Sequence, residues 1–255
     1  MPSPQLSRSS QSLPRSGCFV TGTDTGVGKT LVTAALALCL KQRGLRVGVM
    51  KPIETGQPDG SGVSDAERLR AIVEAPDPVE IVTPYRFSAP LAPLAAARLA
   101  GSTIEMDRIV AAYETLAAGH PMVVVEGIGG VMVPISPQVT VRDLIARLGL
   151  PAVVVGRASL GGVNHALLTV EALRERGVVT LGIVLNHPVA PPRSSMDAMQ
   201  EESTVELVKE LSGVPVIGPL PHEAAFDRAW EAGLAKIAQH PGILELAYMV
   251  MKSAT

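Results

Sequence analysis

Aromatic side chains make up only 3% of this 255-residue sequence, so its interior cannot rest on stacked rings. Ala, Val, Leu and Ile must fill the core instead, which suits a parallel sheet covered by helices on both faces. Cysteine is nearly absent: Cys18 and Cys39 are the only two, both in apolar stretches and without a metal-ligand spacing. A disulfide framework and a thiolate zinc site are thereby excluded, and the pair reads as small buried residues of a reducing, cytoplasmic compartment. No apolar run approaches a membrane span. Basic runs are missing too, and with a net charge of −2 nothing points to nucleic acid or an anionic membrane as partner. Acids are missing from residues 1–16, which are rich in Ser, Pro and Arg. Transit peptides share that composition, but this stretch is short and broken by Pro4 and Pro14, so a disordered tail is expected.

What is present is a strong apolar fraction, 47% against 18% charged, enough for a large buried core. Short β-branched runs alternate with longer helical stretches. Strands are expected at 17–21, 46–50, 122–125, 152–155, 181–185 and 214–220. Helices are expected at 29–43, 64–73, 106–118, 140–147, 164–176 and 202–211, with further helical segments to the end. The alternation predicts an α/β fold: one doubly wound domain over residues 17–255, with ligands at the carboxyl ends of its strands.

The chemistry-bearing residues fall at those ends. Residues 22–30, Gly-Thr-Asp-Thr-Gly-Val-Gly-Lys-Thr, lie between the first strand and first helix. Gly22, Gly26 and Gly28 allow a tight turn whose N–H groups face an anion, and the helix adds the positive end of its dipole. Lys29 would reach the β- and γ-phosphates and the Thr30 hydroxyl would ligate Mg²⁺. The spacing holds one residue more than the usual G-x-x-x-x-G-K-[ST]. Glu126 follows the strand at 122–125, where a metal-binding carboxylate belongs, or it is a solvent-facing acid opening a Gly-rich loop. Asp65 is ambiguous: Ser64 and Glu67 fit a capping box, in which Asp65 merely favours the helix dipole. Lys51 follows the second strand and points towards the P-loop region, or is a solvated lysine before a proline turn.

GTDTGVGKT, KPIETG at 51–56, SDA at 64–66, PYRFSAP at 84–90, VEGIGG at 125–130, GVNHALLT at 162–169 and the Asn186 loop occur together. In order and spacing this set resembles the dethiobiotin synthetases, over roughly residues 17–235, and the extended P-loop spacing is itself a feature of that family. The resemblance implies a mainly parallel P-loop NTPase-like sheet of about seven strands, and a homodimer with its active site at the subunit interface. It also implies ATP- and Mg²⁺-dependent ring closure of 7,8-diaminopelargonic acid with CO₂, by way of a carbamate and a carbamic-phosphoric anhydride. Lys51 and Lys29 match catalytic lysines; Thr30, Asp65 and Glu126 match magnesium ligands. ATP would contact Gly26, Val27, Gly28, Lys29, Thr30, Leu31, Asp65, Glu126, Gly127, Ile128 and Gly129. Asn186 and His187, with Pro221, His222 and Glu223, would border its base. The substrate would meet Thr25, Lys51 and Thr55, and its carboxylate would meet Gly162, Val163 and Asn164 of the opposite subunit. From residues alone Asn164 reads as a helix N-cap. The sequence departs from the family at Thr55, where Ser is frequent, and at Leu94, where His is frequent.

Two other readings compete. Cobyrinate-type amide synthetases share such a P-loop domain but carry a glutaminase domain with a nucleophilic cysteine, and no Cys follows Asn186 here. Min- and partition-type ATPases carry an additional lysine early in the P-loop, whereas residues 23–27 are Thr-Asp-Thr-Gly-Val.

Overall fold

A computed structural model describes residues 16–254 apart from 57–62, 75, 188–193 and 228. The chain runs β1 (Gly17–Gly22), α1 (Lys29–Gln42), β2 (Val47–Met50), β3 (Ile53–Thr55), α2 (Asp65–Val73), α3 (Val79–Val82), β4 (Tyr85–Phe87), α4 (Pro93–Leu99), α5 (Met106–Gly119) and β5 (Met122–Gly130). It continues α6 (Val141–Leu148), β6 (Ala152–Arg157), α7 (Gly162–Arg174), β7 (Thr180–Asn186), α8 (Ser195–Ser212), β8 (Val216–Leu220), a 3₁₀ turn (Ala224–Asp227), α9 (Trp230–Ala238) and α10 (Pro241–Lys252). Six strands pair in parallel in the order β2-β5-β1-β6-β7-β8. The doubly wound expectation therefore holds, with six strands in the main sheet where about seven were implied. β3 and β4 form a separate parallel pair.

Pleating splits the apolar strands between two cores. Phe19, Val123 and Val125 point to the face covered by α5, α6 and α7, where Tyr113, Ile145 and Leu173 are buried. Cys18, Val20 and Val124 point to the face covered by α1, α9 and α10, with Leu36, Leu40, Leu234 and Leu246. Both cysteines are free and buried, as their composition implied. Burying a Leu or Val side chain contributes about 1.5–3 kcal/mol, so aliphatic layers on both faces carry most of the fold.

Helix starts differ instructively. α1 opens on Gly28 at φ 100°, with no side-chain cap and no acid in its first turn, so its end stays available to an anion. α2 opens on Ser64, whose hydroxyl accepts from Glu67 N–H while the Glu67 carboxylate accepts from Ser64 N–H, the expected capping box. α7 begins at Gly162 with Gly161 as N-cap at φ 84°. Asn164 is thus the helix's third residue, and the N-cap reading is corrected. Of residues 1–16, expected as a tail, 1–15 lie outside the described residues, and the Ser16 carbonyl already accepts from Val123 N–H at 3.1 Å. Among the described residues no helix is long and apolar enough to cross a membrane.

Candidate functional site

β1, an inner strand of the sheet between β5 and β6, delivers the P-loop at its carboxyl end. Gly28 needs its glycine twice over: its φ is positive, and a Cβ there would lie 2.1 Å from Asn186 Nδ2. That close approach lets Asn186, the last residue of β7, donate to the Val27 carbonyl at 3.1 Å and tie the loop to the far half of the sheet. Lys29 folds back so that Nζ donates to the Asp24 carbonyl at 2.8 Å. Burial lowers its ammonium to about 8, against partial compensation by Glu126. An incoming anion would favour the charged form.

Lys51 leaves the end of β2 only 5% exposed, so the solvated reading is excluded. Its Nζ lies 2.6 Å from Asp65 Oδ2 and 2.5 Å from Glu126 Oε1. Burial alone would lower this amine, but the two carboxylates outweigh it and hold it above the usual lysine range. Glu126, 1% exposed within the longer-than-expected β5, also accepts from Thr30 Oγ1 at 2.9 Å. Burial pushes its carboxyl up, with Lys51 opposing. At Asp65 burial is outweighed by Lys51 and hydrogen bonds, which hold that carboxyl below its usual range. Asp65 therefore sits at a helix start and in the polar cluster at once: both readings of it hold as geometry.

The cluster has the donor chemistry of a hard divalent cation. Thr30, Asp65 and Glu126 offer oxygen ligands alone, and Glu126 Oε2 is buried with no hydrogen-bond partner among the described residues. Those residues hold no group of three or more His, Cys, Asp or Glu able to bind a metal, so this is no all-protein cage. Magnesium commonly takes one or two carboxylates and completes its shell with phosphates and water.

A cavity of about 800 Å³ runs from this cluster outward. Of the residues singled out from sequence it is lined by Thr25, Gly26, Gly28, Lys29, Thr30, Leu31, Lys51, Thr55, Asp65, Glu126, Gly127, Ile128, Gly129, Asn186, His187, Pro221, His222 and Glu223. Val27 is buried behind the loop and contributes its carbonyl to Asn186. Gly162, Val163 and Asn164 do not line it. They form the first turn of α7, where Asn164 is exposed and the N–H groups of Val163 and Asn164 find no acceptor among the described residues. Leu94 lines a different pocket, under α4.

Sequence reasoning assigned no role to nine wall residues, among them Glu54, Arg68, Phe226 and Trp230. Glu54 is 4% exposed, and its Oε1 accepts from Asp65 N–H at 2.8 Å, steadying the start of α2. Its place inside the Lys51-Pro52-Ile53-Glu54 stretch was the available signal.

A family model described as an AAA domain matches residues 16–229. An ATP-dependent dethiobiotin synthetase of Anaeromyxobacter dehalogenans (strain 2CP-1) is 54% identical over 170 residues, covering 67% of this chain and 76% of the relative. Proteins of the same name from Thermodesulfovibrio yellowstonii and Methanocaldococcus jannaschii are 39% and 38% identical over 218 and 217 residues, covering 82% and 84% of this chain and 89% and 97% of theirs. Among solved structures, the Aquifex aeolicus MinC:MinD cell division complex matches with TM-score 0.57 at 14% identity, over 93% of this chain and 96% of that one. A Chlorobium tepidum ParA family ATPase matches with TM-score 0.54 at 15% identity, over 95% and 98%. At such identities the structural likeness speaks for the fold alone.

Proposed function

The chain belongs to the family of ATP-dependent dethiobiotin synthetases, and from that membership we propose how its cavity divides the labour. The activity is that of an ATP-dependent ligase forming C–N bonds in biotin biosynthesis. The substrates we assign are 7,8-diaminopelargonic acid, CO₂ and ATP. One amine attacks CO₂, forms an N–C bond and loses a proton, giving a carbamate. A carbamate oxygen attacks the γ-phosphorus while its bond to the ADP oxygen breaks. The second amine attacks the carbamic carbon, loses a proton and expels phosphate, closing the ring.

Every partner in this sequence is an anion or becomes one, so the protein's task is to hold charge rather than to supply a nucleophile. Lys29 and the start of α1 hold the β- and γ-phosphates. Lys51, fully charged by its two carboxylates, lies against the carbamate and the transferring phosphoryl group. Thr25 and Thr55 hold the diamine, while Asn186, His187 and the 221–223 loop border the base. Mg²⁺, held by Thr30, Asp65 and Glu126, would neutralise charge on the phosphates. The first turn of α7 from a second copy receives the substrate carboxylate, which makes the working unit a homodimer. We place the reaction in the cytoplasm, where ATP is supplied, and treat residues 17–255 as one catalytic domain.

The observation that carries this reading is the meeting of Lys51, Asp65, Glu126 and Thr30 at one end of a cavity whose other parts are the P-loop and Asn186. Dethiobiotin detected by mass, formed only when the diamine, bicarbonate and ATP are all present, tests it; no product under these conditions would overturn it. The same assay titrated with magnesium tests the metal set. Asp65→Asn should raise the magnesium concentration for half-maximal activity about tenfold or more, by losing a carboxylate ligand. An Asp65 that served only the helix dipole would lower thermal stability slightly and leave the magnesium curve in place.

A further inference from the structure

Arg68 of α2 and Trp230, the first residue of α9 and the only tryptophan in the chain, line the cavity from outside every recognised motif. The guanidinium carbon of Arg68 lies 5.2 Å from the centroid of the Trp230 ring, within the range of a cation–π contact. Phe226 braces the indole from the side, with ring centroids 5.3 Å apart. Helix α1, whose start carries the P-loop, packs against both α2 and α9. The Arg68–Trp230 contact therefore bridges the two helices that flank the anion site.

Position along the sheet separates the Trp230 side of this wall from the metal cluster, which Arg68 approaches from α2. Lys51 follows β2 and Glu126 lies in β5, on one side of β1, whereas Asn186 ends β7 and the 221–223 loop follows β8 on the other. Trp230 and Phe226 follow directly on that loop. Asp65 and Arg68, three residues apart on α2, share a helix face, so α2 presents a carboxylate to the metal cluster and a guanidinium one turn further out. The Trp230 ring lines the cavity, whereas its Nε1 is closed to solvent within the protein.

We infer that Arg68 and Trp230 form the outer wall of the nucleotide cavity and hold the ribose and base of ATP. The guanidinium-on-indole surface carries a flat face of the nucleoside. This rests on the reading that the cavity binds ATP, and it assigns the pair to nucleotide affinity rather than to chemistry.

The indole is its own probe. ADP should change the tryptophan emission saturably, whereas tripolyphosphate, which has phosphates and no nucleoside, should compete with ADP and leave the emission unchanged. Arg68→Met keeps the apolar stem and should weaken ADP about tenfold, with tripolyphosphate affinity unaltered. Trp230→Leu, followed by calorimetry, should weaken ADP similarly. Both variants should melt as wild type does and should raise the KM for ATP while kcat at saturation stays near wild type. Equal weakening of ADP and tripolyphosphate by Arg68→Met would place Arg68 on the phosphates and overturn the assignment, as would unchanged ADP affinity in both variants. Lys29→Ala separates the two levels: it should weaken ADP and tripolyphosphate alike. ADP binding indifferent to Lys29 would overturn the nucleotide reading of the cavity, and this wall with it.

Discussion

Replacing Lys51 with alanine should lower turnover by about a hundred- to a thousandfold while most nucleotide binding remains. The ammonium is buried, held by Asp65 and Glu126, and lines the same cavity as the P-loop and Thr55. Charge that builds on the transferring phosphoryl group is met there by a cation already in place, without reorganisation of water. The P-loop, Lys29 and the residues proposed to border the base are untouched by the substitution, so ADP affinity measured by calorimetry should hold. Lys29→Ala should instead weaken binding and turnover together. A second consequence of Lys51→Ala follows from the carboxylates it leaves behind. Glu126, whose carboxyl burial already raises, loses the cation that opposes burial. Its raised folded pKa costs stability as pH rises through it, so the variant should melt lower at neutral than at mildly acidic pH. Normal turnover by Lys51→Ala would contradict the assignment.

Mixing two inactive variants should restore about a quarter of wild-type activity. If each site joins Lys29 of one subunit to Asn164 of the other, a Lys29→Ala/Asn164→Ala dimer has one site with both residues intact and one with neither. Random exchange makes about half the dimers mixed, and half of their sites work. The first turn of α7 does not line its own chain's cavity, yet the N–H groups of Val163 and Asn164 there find no acceptor among the described residues. Gly162 keeps that turn tight, since a Cβ there would meet the Arg157 carbonyl at 2.2 Å. No recovery despite proven subunit exchange would return Asn164 to its own chain's site or to a purely structural role.

What could be read from sequence followed the range of the interactions involved. The P-loop is legible because its glycines, lysine and helix start are contiguous, and the five strands around it are legible as unbroken aliphatic runs. β3 and β4, three residues each, are too short to show a period. The true start of α7 was masked because Gly161 and Gly162 look like loop, although a glycine at positive φ makes an adequate N-cap. Asp65 shows the limit of local reading most clearly. Its capping box is complete, yet the contact to Lys51 joins residues 14 apart in sequence, and no local pattern announces it. Arg68 and Trp230 meet only because α2 and α9 both pack on α1. The one available sign was the three-residue spacing that puts Arg68 on the face of Asp65.

The central claim is that the P-loop, Lys51 and the carboxylates beside it serve ring closure of a diamine rather than a free-running ATPase cycle. Its most direct test is the stoichiometry of ADP, phosphate and dethiobiotin in one reaction mixture with bicarbonate. One ADP and one phosphate per dethiobiotin, with ATP hydrolysis falling to background when 7,8-diaminopelargonic acid is withheld, is the predicted result. ATP hydrolysis that continues undiminished without the diamine would contradict it.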